Sequence, residues 1–487
     1  MNRIVTISAL MLCTIARAGD GAQPNIILML SDDQGWGGLS VSMHPDHPGA
    51  KGQIFQTPNI ERLASQGMRF SAGYAPASVC SPTRISLQTG RSPASLHWTK
   101  AAPAEEGHKL TEPKLIKSIA ANETTIGEIL REAGYATAHY GKWHIGGGGP
   151  ENHGYDESDG DTGNENAFQF KDPNPVDIFG MADRTERFMA KCQKAGKPFF
   201  IQLSWNALHA AENAMEATKA KYSGVAAGNN SKQSSVAAIT EDLDTGVGRV
   251  MDSIDKLGLS ENTYVIYMSD NGAGGGKRTG LNGGKGTMWE GGIRVPFIVR
   301  GPGVAANSWC DVPVVGYDLY PTFCEWAGLS VSQLPKNLEG GSLVSLLARN
   351  GKGAVKRARE ELVFHFPHYQ SDADGPHSAI RLGDLKLIHF YESDRDVLFD
   401  LSKDISEQND LASERPRDAE MMKMRLMTYL QDVDAQFATP NPEYDPNAEP
   451  VARRGGKGGR AGGGAGGKGD MKSDKPKGTK GGRKNQE

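Results

Sequence analysis

Asn25-Ile26-Ile27-Leu28-Met29-Leu30 runs straight into Ser31-Asp32-Asp33. A continuous apolar run of this length, ended by small and acidic residues, reads as a strand buried on both faces. Thr263-Tyr264-Val265-Ile266-Tyr267-Met268 repeats the pattern and runs into Ser269-Asp270-Asn271-Gly272. Buried strands of this kind belong to sheets covered by helices on both sides, and the segments between them fit. Thr57-Pro58 opens a helix over Asn59–Gln66 that Gly67 closes. Thr125 and Glu128 form a capping box for a helix ending at Gly134. Further strands are expected at Ala136–Tyr140 and Phe199–Ser204, and a long helix from about Ser235 to Leu257. The alternation gives an α/β fold. Glu361–Phe366, His377–Leu382 and Leu385–Phe390 read as a small antiparallel set after a polar stretch, Arg349–Arg359. The expected organisation is a large α/β domain over 19–355, a small α+β domain over 356–440 and a Gly/Lys-rich basic tail over 441–487.

The chain has 487 residues, 38% of them hydrophobic, and a net charge of −4, which excludes a wholly disordered chain. Met1–Ala18 has a basic start, an apolar run over Ile4–Ile15 and small residues at its end, the pattern of a cleavable signal peptide. No other run is long enough to suggest a transmembrane helix. A secreted or periplasmic protein is expected. The last 36 residues hold 13 Gly and a net charge of +8, so the body over 19–451 carries −14. That acidic body excludes a specific nucleic-acid-binding domain; the basic tail suits contact with polyanions. After Cys13 only Cys80, Cys192, Cys310 and Cys324 remain, too few for a disulfide framework. Cys310 and Cys324 are the candidates for pairing.

The chemistry gathers at strand ends and helix starts. Asp32-Asp33 and Asp270-Asn271 follow two buried strands, and ligands of open α/β sheets bind beyond such ends. An all-oxygen set suits a hard cation, calcium or magnesium. In Cys80-Ser81-Pro82-Thr83-Arg84, Ser81 reads as an N-cap with Pro82 at the first helical position, which leaves Cys80 unburied beside a helix N-terminus suited to an anion. Arg84 adds a fork for an oxyanion. Lys142 and His144 alternate along an extended segment, so both point to one side. His209 follows another strand, and Lys285 sits among glycines that let backbone approach a ligand. All of these suit one metal-bound anion. His365, His368 and His377 are read as packed or surface residues first and substrate contacts second.

The pattern Cys80-Ser81-Pro82-Thr83-Arg84 with Thr89-Gly90-Arg91 resembles the signature of the type I, formylglycine-dependent sulfatases, arylsulfatase-like members of the alkaline phosphatase superfamily. The resemblance continues through Asp32-Asp33-Gln34-Gly35, Thr57-Pro58-Asn59-Ile60, Gly141-Lys142-Trp143-His144, His153-Gly154-Tyr155-Asp156, Leu243-Asp244 and Ser269-Asp270-Asn271-Gly272. It ends with Gly284-Lys285, Trp289-Glu290-Gly291-Gly292 and Leu398-Phe399-Asp400-Leu401 with Glu407 and Asn409. It implies an alkaline-phosphatase-like fold, a large mixed sheet between helices with a smaller C-terminal domain carrying an antiparallel sheet. It also implies a sulfuric ester hydrolase acting on a sulfated substrate, with a carbohydrate favoured by the open loops 146–161 and 371–377. Cys80 would be oxidised to formylglycine (3-oxoalanine) by a formylglycine-generating enzyme and would touch the metal. Asp32, Asp33, Asp270 and Asn271 match the calcium ligands, with magnesium as the alternative ion. Arg84, Lys142, His144, His209 and Lys285 match the residues around formylglycine and sulfate. Two departures stand out: Gly38 replaces a frequent acidic residue, and Leu208 with Ala210 or Ala211 replaces the usual prolines beside His209. The rival readings are a phosphate or phosphonate monoester hydrolase on the same scaffold and a non-catalytic sulfated-glycan-binding protein.

Overall fold

In the computed structural model, the described residues are 23–209, 213–225, 231–274, 280–370, 375–448 and 451–452. The expected signal peptide, residues 371–374 of the open loop 371–377, and the tail beyond 452 lie outside them.

Eight strands form the main sheet in the order Ser308–Cys310, Met68–Phe70, Phe297–Arg300, Thr263–Ser269, Asn25–Ser31, Phe199–Ser204, Ala136–Gly141, Glu157–Ser158. Phe297–Arg300 alone runs against the others, so the sheet is mixed. Asn25–Ser31 lies at the centre, parallel to both neighbours. Its alternate side chains enter different cores. Ile27 and Met29 pack on one face with the helices Ile178–Ala195 and Ser231–Lys256. Ile26, Leu28 and Leu30 pack on the other, with α2 (Cys80–Thr89) and α3 (Ile126–Glu132). Burial on both faces is why this strand is apolar throughout.

The helix opened by Thr57-Pro58 is α1 (Pro58–Ser65). Its N-terminal N–H groups are satisfied from another helix: Asp244 accepts from the backbone of Asn59 (3.1 Å) and Ile60 (2.8 Å). Two motifs of the resemblance, Thr57–Ile60 and Leu243-Asp244, therefore meet in one cap. The Thr125–Glu128 capping box is present.

The C-terminal sheet has four antiparallel strands, Leu362–Phe366, His377–Leu382, Leu385–Phe390 and Arg395–Asp400. The fourth strand and the helix Pro416–Asp432 were not anticipated. Arg395–Asp400 begins with charged residues and turns apolar only at Val397, which hides it from an apolar-run reading. Helix Pro416–Asp432 covers one face through Met422, Leu426 and Leu430. The other face packs Phe364, Phe366 and Phe399 against Tyr74, Met288 and Ile293. Cys310 and Cys324 are separate, buried free thiols, so the pairing considered for them does not occur.

Candidate active site

Strand register builds the centre. Ser31 pairs with Ser269, so the next residues, Asp32 and Asp270, leave the sheet side by side. Asp33 then turns in the left-handed region (φ 62°), which Asp tolerates, and its N–H donates to Asp270 Oδ1 (3.2 Å). Ligand oxygens of Asp32, Asp33 and Asp270 all lie within 4.8 Å of one another. Asn271 Nδ2 donates to Asp33 Oδ1 (2.7 Å), which leaves its amide oxygen free. That oxygen and Asp32 Oδ1 are both buried without a hydrogen-bond partner. Buried acceptors are normally satisfied. Two orphaned oxygens beside three converging carboxylates fit a hard, oxygen-loving cation.

Three cations face the three carboxylates. Lys142 Nζ lies 2.5 Å from Asp32 Oδ2, and Lys285 Nζ lies 2.5 Å from Asp33 Oδ1. Arg84 donates to Asp270 Oδ2 through Nε (3.1 Å) and Nη2 (2.7 Å), and to the Lys142 carbonyl through Nη1 (2.7 Å). Burial works against the Asp32 carboxylate, yet Lys142, His209, Arg84 and Lys285 together hold it far below the usual carboxylate range. Burial and the neighbouring Asp32 push Asp270 up, against Arg84. Lys285 is raised: burial opposes its charge, but Asp33, Cys80, Asp32 and Asp270 outweigh it.

Cys80 is the first residue of α2, not a residue before it, and it is buried at 3% exposure. The expected Ser81 N-cap is corrected to Val79, whose backbone is extended. The Thr83 hydroxyl accepts from Ala77 N–H (3.2 Å), fixing the turn ahead of the helix and drawing its start forward. Burial follows because the glycine loop lies over this turn, with Gly286 N–H donating to the Ser78 carbonyl (2.9 Å). Cys80 thus sits where the helix end gathers positive character.

The expectation of an extended Gly141–His144 segment is also corrected. Gly141 (φ 88°) and His144 (φ 57°) turn the chain. Lys142 reaches Asp32, while His144 Nδ1 lies 3.5 Å from Cys80 Sγ and 3.2 Å from Ser81 Oγ. Burial first, then Lys142 and Arg84, push the His144 imidazole down to about 3, so it is neutral at ordinary pH. Ser81 is the contact that the sequence reading missed, having been read as a cap.

His209 is held by backbone. Asp32 N–H donates to the Ala207 carbonyl (2.8 Å), and Leu208 N–H to the Asp32 carbonyl (2.7 Å). Its imidazole is lowered by burial, and Nδ1 is buried without a partner. Lys285 is placed by its N–H to the Ala273 carbonyl (3.0 Å) and by left-handed Gly283 and Gly286. Of the three C-terminal histidines, His377 touches this loop, accepting from Met288 N–H (2.8 Å). His368 pairs with Glu112 (2.8 Å), and His365 contacts Ser378 (2.6 Å). All three are buried.

The arrangement can hold a cation, bind an anion against it with lysines and a helix end, and move protons through neutral imidazoles. Among the described residues no helix is long and apolar enough to cross a membrane.

Comparison with known proteins points the same way. The sulfatase family pattern matches residues 24–329, and that of the N-sulphoglucosamine sulphohydrolase C-terminal region matches 283–436. Arylsulfatase A of Homo sapiens is 29% identical over 430 residues, covering 79% of this chain and 78% of that protein. N-acetylgalactosamine-6-sulfatase of Rattus norvegicus is 31% identical over 351 residues, covering 64% and 63%. The crystal structure of Ps i-CgsB with k-i-k-neocarrahexaose shares the fold, with a TM-score of 0.69 at 24% identity, covering 87% of this chain and 94% of that one.

Proposed function

The chain belongs to the sulfatase family, and on that premise we propose that it releases inorganic sulfate from a sulfated carbohydrate, using formylglycine made from Cys80 beside a bound calcium. Sulfate ester hydrolysis is the activity of the family; the carbohydrate, the modification and the ion are the proposal. The observation that carries it is the pair of orphaned ligand oxygens, on Asp32 and Asn271, among three carboxylates and three cations around Cys80. The name of the N-acetylgalactosamine-6-sulfatase relative supports a sugar substrate.

Asp32, Asp33, Asp270 and Asn271 would hold the calcium, or magnesium in its place. When present, the ion would polarise the sulfuryl oxygens, and the hydrated formylglycine would supply the attacking hydroxyl. Lys142 and Lys285 neutralise charge on the sulfuryl oxygens as it builds. Arg84 fixes Asp270 and the Lys142 carbonyl. Asp270 accepts the proton of the attacking hydroxyl. His209, or Lys285, gives a proton to the departing alcohol. His144, neutral and against residue 80, would take the proton of the hydrate's second hydroxyl, whose oxygen becomes the aldehyde oxygen as the C–O bond to the departing sulfate breaks.

Maturation requires a formylglycine-generating enzyme, which fits export through the N-terminal segment to a secreted or periplasmic location. The basic tail is proposed to contact polyanions. Peptide mass spectrometry across Cys80, with sulfate release assayed on the same preparation, tests the reading. An aldehyde or its hydrate at position 80 with released sulfate is expected. Unmodified cysteine and no sulfate, from a host whose modifying enzyme works on a control, would overturn it. Assays on matched phosphate and sulfate esters decide against the phosphohydrolase alternative.

A further inference from the structure

A cavity of about 240 Å³ lies beyond the carboxyl ends of Ala136–Gly141 and Phe199–Ser204, with Gly141 and Asn206 in its wall. Backbone ties it to the candidate active site on two sides. Gly141 N–H donates to Asp159 Oδ2 (2.7 Å), Thr162 Oγ1 to the Gly141 carbonyl (2.5 Å), and His144 N–H to the Thr162 carbonyl (2.8 Å). A Cβ added to Gly163, another wall residue, would lie 3.9 Å from His144 Cδ2. On the other side His209 N–H donates to the Asn206 carbonyl (2.9 Å), and Phe168 stacks on the His209 ring. Two residues of the cavity wall, Gly163 and Asn206, therefore lie beside His144 and His209.

Its chemistry is mixed. Arg184 Nη2 bridges Asp177 (2.6 Å) and Asp159 (2.8 Å), while its Nε is buried without a partner. Asn206 is 2% exposed, and among the described residues its side chain makes one hydrogen bond, a long one from Nδ2 to the Gly163 carbonyl (3.4 Å). Its amide oxygen has no partner among the described residues. Val176, Met181 and Ala167 supply an apolar side, and Phe170 stands 37% exposed at the edge. Two carboxylates against one guanidinium leave one negative charge, which disfavours an anion. Donors and acceptors on one side and apolar surface on the other suit a ring with hydroxyl edges and C–H faces. The volume is below the roughly 300–1,000 Å³ of pockets for drug-sized ligands and suits a single ring.

We propose that this cavity is a leaving-group subsite for an uncharged sugar ring attached to the sulfated one. This rests on the sulfatase reading above. The test uses enzyme carrying formylglycine and a panel of sulfated monosaccharides, with disaccharides that add a neutral or a uronic ring. The readout is kcat/KM for each disaccharide divided by that for its monosaccharide. A gain of at least tenfold is expected from the neutral ring and none from the uronic one. The gain should fall at least fivefold in Gln169→Ala/Phe170→Ala, which removes two side chains of the cavity wall, and in Ala167→Leu, which adds bulk to that wall. No gain from the neutral ring, an equal gain from the uronic ring, or a gain that drops less than fivefold in both variants, would overturn the subsite. Release of sulfate from 4-nitrophenyl sulfate but from no sugar would also overturn it and leave the activity standing. No release from any ester would overturn the activity, and the subsite with it.

Discussion

Lys285 and Glu290 stand five residues apart, one in a loop and the other at the start of the short helix Glu290–Ile293, yet they belong to two different clusters of buried charge. Around Lys285 are Asp32, Asp33, Asp270, Arg84 and Lys142. Around Glu290 are Arg294, Lys386, Glu407, Arg381 and Tyr74. In the second cluster Lys386 Nζ lies 2.8 Å from both Glu290 and Glu407, Glu290 N–H donates to Glu407 (2.7 Å), and Tyr74 O–H donates to Glu290 (2.8 Å). It joins the C-terminal sheet to the segment carrying Lys285, and each charged group meets an opposite charge or a hydroxyl. The first cluster balances its charges too, but keeps two orphaned ligand oxygens and a cysteine at a helix start. Charge balance alone therefore does not separate a site from a strut, nor does one unsatisfied oxygen, since Glu407 Oε1 is buried without a hydrogen bond but lies 2.8 Å from Lys386 Nζ; the first cluster differs in setting two such oxygens among converging carboxylates. Substitutions should divide accordingly, costing turnover in one cluster and stability in the other.

The largest expected effect is Cys80→Ser, which cannot form the aldehyde. Multiple-turnover sulfate release should fall on the order of 10³-fold or more, with the unfolding midpoint little changed. Wild-type turnover by this variant would erase the distinction between the clusters. Lys386→Met is the counterpart. It takes from Glu407 its paired cation, leaves Glu290 to Arg294 and Tyr74, and should cost about 3–5 kcal/mol in denaturant unfolding, the usual penalty for removing one partner of a buried pair. A loss under about 1 kcal/mol would mean the second cluster is no strut.

Calcium sharpens the contrast. A ligand that binds only the folded state at a hundred times its Kd stabilises by about 2.7 kcal/mol. Wild type should gain an increment of that order on titration with calcium, and Asp32→Asn should lose most of it. Lys386→Met, though weaker overall, should keep it. An equal increment in Asp32→Asn would move the cation site elsewhere.

The sequence was most legible where burial is two-sided. Phe199–Ser204, His377–Leu382 and Leu385–Phe390 match their expected bounds, the first because it is mostly apolar and the other two because the Gly383-Asp384 turn marks the break between them. The strand ends bearing Asp32 and Asp270 could be read, but not their adjacency, since a parallel pairing across more than two hundred residues leaves no local trace. Ser81 and Pro82 looked like a helix entry, yet Thr83 bonding back to Ala77 set the start one residue ahead of Ser81. Glu407 and Glu290 stood out only through resemblance; nothing in their spacing tells that they share Lys386. The wall of the proposed subsite, Gly141 bonded to Asp159 and Thr162, is likewise set by tertiary contact.

The smallest expected effect concerns Glu407. Burial pushes its carboxyl up, Lys386 opposes, and Glu290 adds to the rise. A carboxyl raised in the folded state holds its proton there after the unfolded chain has lost it. Stability from this group is therefore full in acid and declines as pH climbs from the ordinary carboxylate range toward neutrality. Glu290 works in the other direction: burial opposes its charge, but Lys386, Arg294 and Arg381 pull it down, so its contribution is lost only in stronger acid. Between about pH 5 and about pH 8, wild type should lose on the order of 1 kcal/mol that Glu407→Gln does not, read from denaturation midpoints at each pH. An equal or steeper loss in Glu407→Gln would assign that titration to another group and leave the second cluster silent near neutrality.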